Sequence, residues 1–235
     1  MTIKLLVFNC TKAAAEFFTV TRHGQKESPL VPAPHKTIQE SVQNPIFPSE
    51  LGMIASDSSQ WHWVLHCVSI KRKKYLMVMD YESRFCITLL AGAKGDIYQF
   101  LNTFEPLLKT SFHSLAIESG VDNTEIELCI EYYDREVDEC VFHPRGDRSV
   151  QAHLNDVYWH LERQCHDDGM LIKDIDLLGF SFFTGQFPRN SKHKKSHFFP
   201  SKEFVDQWRQ WPLKSSPFDM SNVVDLSTYK RNLNK

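Results

Sequence analysis

Glycine is scarce in this chain, nine in 235 residues, and no glycine-rich stretch has the form of a phosphate-cradling loop. There is no Gly-x-Ser-x-Gly elbow for a serine nucleophile and no His-Glu-x-x-His pair for a zinc protease. These absences exclude common catalytic solutions while leaving catalysis in general open. Uninterrupted apolar runs of 18 residues are also missing, so no segment reads as a bilayer-spanning helix. The opening run, Met1 to Phe8, is too short for a signal-peptide core plus its cleavage site. A strong net charge is lacking too: the formal value is −2, and no global field favours nucleic acid or membrane.

Eleven histidines and six cysteines invite a metal reading, yet paired ligands at zinc spacing are wanting. Cys140-x2-His143 and His193-x3-His197 come closest, each a single pair without a second. No metal and no cofactor are expected. The cysteines are widely spaced, and without an export signal they read as reduced core thiols in a cytoplasmic protein.

What is present suits a globular fold. A chain of this length buries roughly 70% of its unfolded surface, so it needs no covalent staples. Seventeen Phe, seven Tyr and five Trp supply a bulky core. Ile3 to Phe8 reads as a buried strand, followed by Thr11 in position to cap a short helix. Residues 22–60 hold five prolines and little periodicity, the pattern of a long irregular insertion. Three strands within 61–91, joined by the short turns Lys71–Lys74 and Asp80–Ser83, predict an antiparallel meander. Trp61, Trp63, Leu65 and Cys67 fall on its more apolar face.

Helical spacing predicts a helix over 96–108, kinked or ended early by Pro106. Alternation of Ile126, Leu128, Ile130 and Tyr132 with glutamates predicts a half-exposed strand at 125–132, and Cys140–Phe142 a short partner strand. Asp147 can cap a helix to about Cys165, with Val150, Leu154, Val157 and Leu161 as its core stripe. Ile175–Phe183 reads as a strand or a packed loop, and Ser201–Trp211 as a short helix before a polar tail. The expected architecture is α+β: a mainly antiparallel sheet packed with helices near 96–108 and 147–165. It divides into a core of residues 1–170 and a C-terminal extension of residues 171–235.

Charge is unevenly spread. Nine carboxylates face one arginine between Glu118 and Glu139, while Arg189, Lys192, Lys194, Lys195 and Lys202 form a basic stretch. Arg189, Lys192, Lys194 and Lys195 are a candidate interaction surface. A protein is the favoured partner, since one short basic stretch is a thin footprint for nucleic acid. Oligomeric state is open.

For chemistry, Cys10 sits at a strand exit beside Lys12, where a helix start and an ammonium favour a thiolate. The other reading, and the favoured one, is a small residue at a tight strand exit. Asn155 and Asp156 lie mid-helix, where short polar side chains compete for backbone bonds and need partners. Arg148 is placed to pair with Asp156 or with an external anion.

Three blocks carry a resemblance: Asn9-Cys-Thr-Lys12, then Trp61-His-Trp with Met-Asp-Tyr-Glu-Ser-Arg-Phe85, then Gly146-Asp-Arg-Ser-Val150 leading to Leu154-Asn-Asp156. Over roughly residues 3–165 the chain resembles a family of small bacterial proteins known only as a domain of unknown function. The resemblance implies that Cys10, Thr11, Lys12, Trp61, Arg84, Asp147, Arg148, Asn155 and Asp156 share one neighbourhood, and it supplies no activity. Two readings follow. One is a non-enzymatic binding or regulatory protein, of a kind common in bacterial mobile-element and host-defence settings. The other is a small hydrolase or group-transfer enzyme built around Cys10 and Asp147/Arg148/Asn155/Asp156.

Overall fold

A five-stranded mixed sheet organises the computed structural model, which describes residues 2–48, 58–137, 139–167, 169, 171–191 and 194–215. Its strands are β1 (Thr2–Cys10), β4 (Ser58–Ile70), β5 (Lys73–Asp80), β6 (Cys86–Leu90) and β7 (Glu139–His143) in the order β6-β5-β4-β1-β7. The meander β4-β5-β6 is antiparallel as its short turns require. β1, however, runs parallel to both β4 and β7, which corrects the expectation of a mainly antiparallel sheet. Long helical crossovers separate β1 from β4 and β6 from β7, and such connections deliver strands in parallel.

Both faces of the sheet are covered. On the first lie Phe8, Cys10, Trp61, Trp63, Leu76 and Val78, under α1 (Lys12–Phe18), α3 (Ile97–Glu118), α4 (Asn123–Glu136) and α7 (Pro200–Ser215). On the second lie Val64, Val68, Tyr75, Met77 and Met79, under α2 (Ile38–Gln43), α5 (Arg148–Asp167) and part of α6 (Asp174–Gly185). The stripe Val150, Leu154, Val157, Leu161 and Cys165 of α5 is buried as its spacing predicts. Two small hairpins, β2–β3 (Val20–Arg22, Gln25–Glu27) and β8–β9 (Arg189–Ser191, Lys194–Phe198), lie outside the main sheet.

The segment expected as a strand at 125–132 is the helix α4. Its sequence carries both periods, but the buried set is Ile126, Cys129, Tyr132 and Tyr133, while Leu128 is exposed. The Asp122 carboxylate accepts from Thr124 N at 2.9 Å, and Glu125 and Arg135 sit at the dipole-favoured ends. Those local terms, with burial at helical spacing, outweigh the alternation. α3 likewise continues through Pro106 to Glu118. An interior proline costs about 3 kcal/mol. Here it faces solvent, while Phe104, Leu107, Leu108, Phe112 and Leu115 are buried on both sides of it. Ile175–Phe183 is helical too, with Asp174 and Asp176 at its positive end.

Helices α6 and α7 contribute to the cores, with Leu177 and Phe180 in the second and Phe204, Val205 and Trp208 in the first. Phe204 stacks on Phe85 at 4.6 Å, and Trp208 on Phe112 at 4.4 Å with an interplanar angle of 6°. Within 22–60, β3, α2 and the bridge of Leu30 to Phe142 give local order. Most of the polar tail after Pro212 lies outside the described residues. Trp208→Ala is expected to destabilise the protein by about 3–5 kcal/mol. Urea denaturation checks this, and a loss below 1 kcal/mol would show that α7 is dispensable to the core.

Candidate functional site

The connections after β1 and β7 leave the sheet on opposite sides, since α1 covers the first face and α5 the second. Neighbouring parallel strands of this kind open a crevice at their carboxyl ends, the common ligand position in α/β sheets. Asn9, at the end of β1, pairs in register with His143 on β7 and Val64 on β4. Its side chain therefore points to the second face, and the chain itself fills the crevice there.

Arg145 fills it. The guanidinium donates to Asn9 Oδ1 from Nε at 2.9 Å and Nη2 at 2.7 Å, and from Nη1 to His35 O, Thr37 O and Ser41 Oγ at 2.8–3.0 Å. Asn9 Nδ2 donates on to Trp63 O at 3.0 Å. Arg145 thus pins the strap of residues 28–44 to the sheet, helped by His143 Nδ1 at 2.9 Å from Val31 O. The buried His62 imidazole lies beside this knot at 3.4 Å from Asn9 Nδ2. Burial, then the nearby charges of Arg145 and His143, push His62 down to about 3.

A second polar knot sits at the β5–β6 turn. The fully buried Asp80 accepts from Trp61 Nε1 at 2.8 Å and from Ser83 N and Oγ at 2.7 and 2.5 Å. Burial still pushes its carboxyl up from the ordinary range. The turn holds Arg84 at a φ of +62°, a conformation disfavoured for any side chain with a Cβ. From there the buried guanidinium lies over the Tyr81 ring at 4.9 Å, donates to Tyr81 O, and reaches Ser149 Oγ at 3.5 Å. Asp147 caps α5 by accepting from Ser149 N at 2.9 Å and Val150 N at 3.1 Å. One and two turns further along α5 stand His153 and Asp156. Asp156 is paired with Arg189 of β8, and Arg189 is itself buried.

The sequence-predicted group therefore divides. Arg84, Asp147 and Asp156 belong to one polar row between the β5–β6 turn and α5, while Trp61 lies on the first face and is linked to the turn through Asp80. Cys10 packs on that first face too, where burial pushes its thiol up to about 12. That suppresses the thiolate the position was expected to favour. Thr11 occupies the cap position of α1, but its hydroxyl turns to His66 Nδ1 at 2.8 Å. Lys12 is exposed, 4.0 Å from Glu16. Arg148 is exposed and the partner of Asp156 is Arg189, while Asn155 is exposed and accepts from Gln151 at 3.0 Å. Arg189 is thereby buried against α5, on the strand next to β9. Lys194 and Lys195 fall on β9, and Lys192 lies outside the described residues.

Sequence reasoning missed Asn9, His62, Arg145 and His153. Asn9 alone carried a signal, as a polar residue closing an apolar strand. Among the described residues, no group of three or more His, Cys, Asp or Glu side chains is arranged to hold a metal, and no helix is long and apolar enough to cross a membrane.

A sheet with helices on both faces and a plugged switch-point crevice defines an α+β protein with a polar row under α5. Over residues 7–203 the chain matches the model of the family described as a domain of unknown function, DUF6933, and it belongs to that family. The match extends well past residue 165, taking in the insertion, α4 and α6. No curated protein matches the chain.

Arg145→Ala leaves buried acceptors on Asn9 and the strap unpaired, which is expected to cost about 1–3 kcal/mol. Limited proteolysis should cleave faster within residues 28–44, and an unchanged cleavage rate would rule out the pinning role. His62 gives a pH signature. Its folded value lies below its ordinary 6.5, so the unfolded chain takes up the proton first as pH falls. Its stability contribution is full above about 6.5 and is lost progressively between 6.5 and 3. His62→Gln should reduce the pH slope of the unfolding free energy between pH 6 and 4 by up to about 1.4 kcal/mol per pH unit. An unchanged slope in urea titrations would show that His62 is not held neutral.

Proposed function

We propose that this chain is a non-enzymatic binding protein with a regulatory role in the bacterial cytoplasm, engaging another protein through the outer surface of α5 and α6. The observation that carries this reading is an aromatic cluster left on the surface. Trp159 and Phe183 are 52% and 42% exposed. Trp159 meets the His160 ring at 4.7 Å, and His160 and Phe183 meet Phe187 at 4.7 and 4.8 Å. Grouped exposed aromatics mark contact surfaces more strongly than scattered apolar residues do, because a ring buries a large area with little rotamer entropy to lose. Arg163, over the Trp159 ring at 5.6 Å, adds a cation at the rim. The partner suited to this surface is a protein with an apolar contact centre.

The state of Cys10 supports the binding reading over a hydrolase or transferase. A thiol held protonated, on the sheet face away from α5, cannot join Asp147 and Asp156 in one reaction centre.

The test is retrieval of the tagged full-length protein from its native cells. The retained partner is identified and then titrated as a purified component. Combined Trp159→Ala and Phe183→Ala substitution is expected to weaken that binding by about tenfold or more without lowering the unfolding midpoint. Charge reversal at Lys192, Lys194 and Lys195 should leave it nearly unchanged. Retention abolished by nuclease, a dimer of the chain itself dissolved by the aromatic variant, or undiminished binding by that variant would each overturn the reading.

A further inference from the structure

Three nitrogen atoms around the inner side of α5 are buried without a hydrogen-bond partner: Nε of Arg84, Nε of Arg189 and Nδ1 of His153. Buried donors are almost always satisfied, and an orphaned one costs about 1–3 kcal/mol, so three in one neighbourhood require an explanation. The two arginine side chains are 97% and 93% buried, their residues being 3% and 7% exposed. They come from separate elements, the strained β5–β6 turn and β8, and meet α5 at Ser149 and Asp156. His153 lies one turn beyond Ser149 and one turn short of Asp156, so the arginines flank it.

Local charge points the same way. Asp147 and Asp156 stand nearby: Asp147 accepts through Oδ1 from Ser149 and Val150, and Asp156 is held by Arg189 Nη1. Burial first, then Arg189 and Arg84, hold the His153 imidazole down at about 4, although Asp156 acts in the opposite sense. The potential at the His153 ring is therefore net positive. Nη1 of each arginine is already committed, to Tyr81 O and to Asp156, while each Nε is buried without a partner.

We infer that Arg84, His153 and Arg189 form a binding site for a phosphate-type oxyanion beneath α5, distinct from the aromatic surface above it. Three donors from three elements match a tetrahedral anion better than a planar carboxylate, which is best met by a single guanidinium fork. Binding satisfies each orphaned nitrogen, with His153 presenting its proton at Nδ1. The anion is free phosphate or the phosphoryl group of a small phosphomonoester.

Thermal unfolding and isothermal titration of the full chain, with sodium phosphate against sodium chloride at matched ionic strength, test the site. Phosphate should saturate and raise the unfolding midpoint as a native-state ligand does. Arg189→Gln and, separately, His153→Gln should weaken binding about tenfold or more. The exposed Arg22→Gln, on β2, should not. His153→Gln, a neutral replacement within α5, guards against a folding failure of the arginine variant. Tighter binding of phosphoserine than of inorganic phosphate assigns the site to a phosphorylated ligand, and the reverse order to the free ion. No saturation, an equal response to chloride, equal affinity for acetate, or undiminished binding by His153→Gln would overturn the inference.

Discussion

Burying the carboxylate of Asp80 in the middle of an aromatic core sets a constraint that much of the remaining structure serves. An ionised group in such a place needs donors on both oxygens. Trp61 supplies one, while Ser83 supplies two by folding the turn back on itself. The Gln207 amide of α7, oriented with its nitrogen toward Asp80, lies 2.9 Å from Oδ2 and brings the last helix into the same arrangement. Closing the turn this tightly forces Arg84 into left-handed backbone space. The strain delivers a guanidinium to the opposite side of the sheet. One buried acid on the first face thereby fixes a buried base on the second.

This dependence explains what could be read from the residues and what could not. The block Met79-Asp-Tyr-Glu-Ser-Arg-Phe85 was recognisable as a motif, and its position in a meander followed from two short turns. That Asp80 and Arg84 serve opposite faces could not be read, because face assignment inside a turn follows no period. The α5 stripe was legible since helical spacing and a capping Asp147 agreed. α4 was not, since Ile126, Leu128, Ile130 and Tyr132 satisfy a strand as well as Ile126, Cys129, Ile130 and Tyr133 satisfy a helix, and tertiary packing chose between them. The parallel placement of β1 lay out of reach as well, because pairing across long crossovers leaves no local mark.

The site followed the same division. Arg84, Asp147 and Asp156 line the second face beside α5, while Trp61 stays with Cys10 on the first. Cys10 and Asn9 are adjacent in sequence, yet strand geometry sends them to different faces, and only Asn9 meets the polar face. Arg145 has no distinguishing context in the sequence. Its weight comes from five hydrogen bonds to Asn9, two strap carbonyls and Ser41. The irregular stretch after Arg22 owes its order to that one side chain as much as to its own capping box at Thr37 and Glu40.

The sheet ends are covered in a way that bears on assembly. Beyond β7, Val31 N donates to Phe142 O at 2.9 Å, so the strap acts as a partial sixth strand. Beyond β6, the N–H of Thr88 is taken by Ser181 Oγ of α6 at 3.0 Å, a side chain standing in for a neighbouring backbone. Unpaired strand edges template the addition of foreign strands and the growth of aggregates. Here one edge is occupied by the chain's own loop and the other is blunted by a helix hydroxyl. Recognition by strand addition is disfavoured at both ends, and loosening the strap would expose β7 to edge-to-edge association.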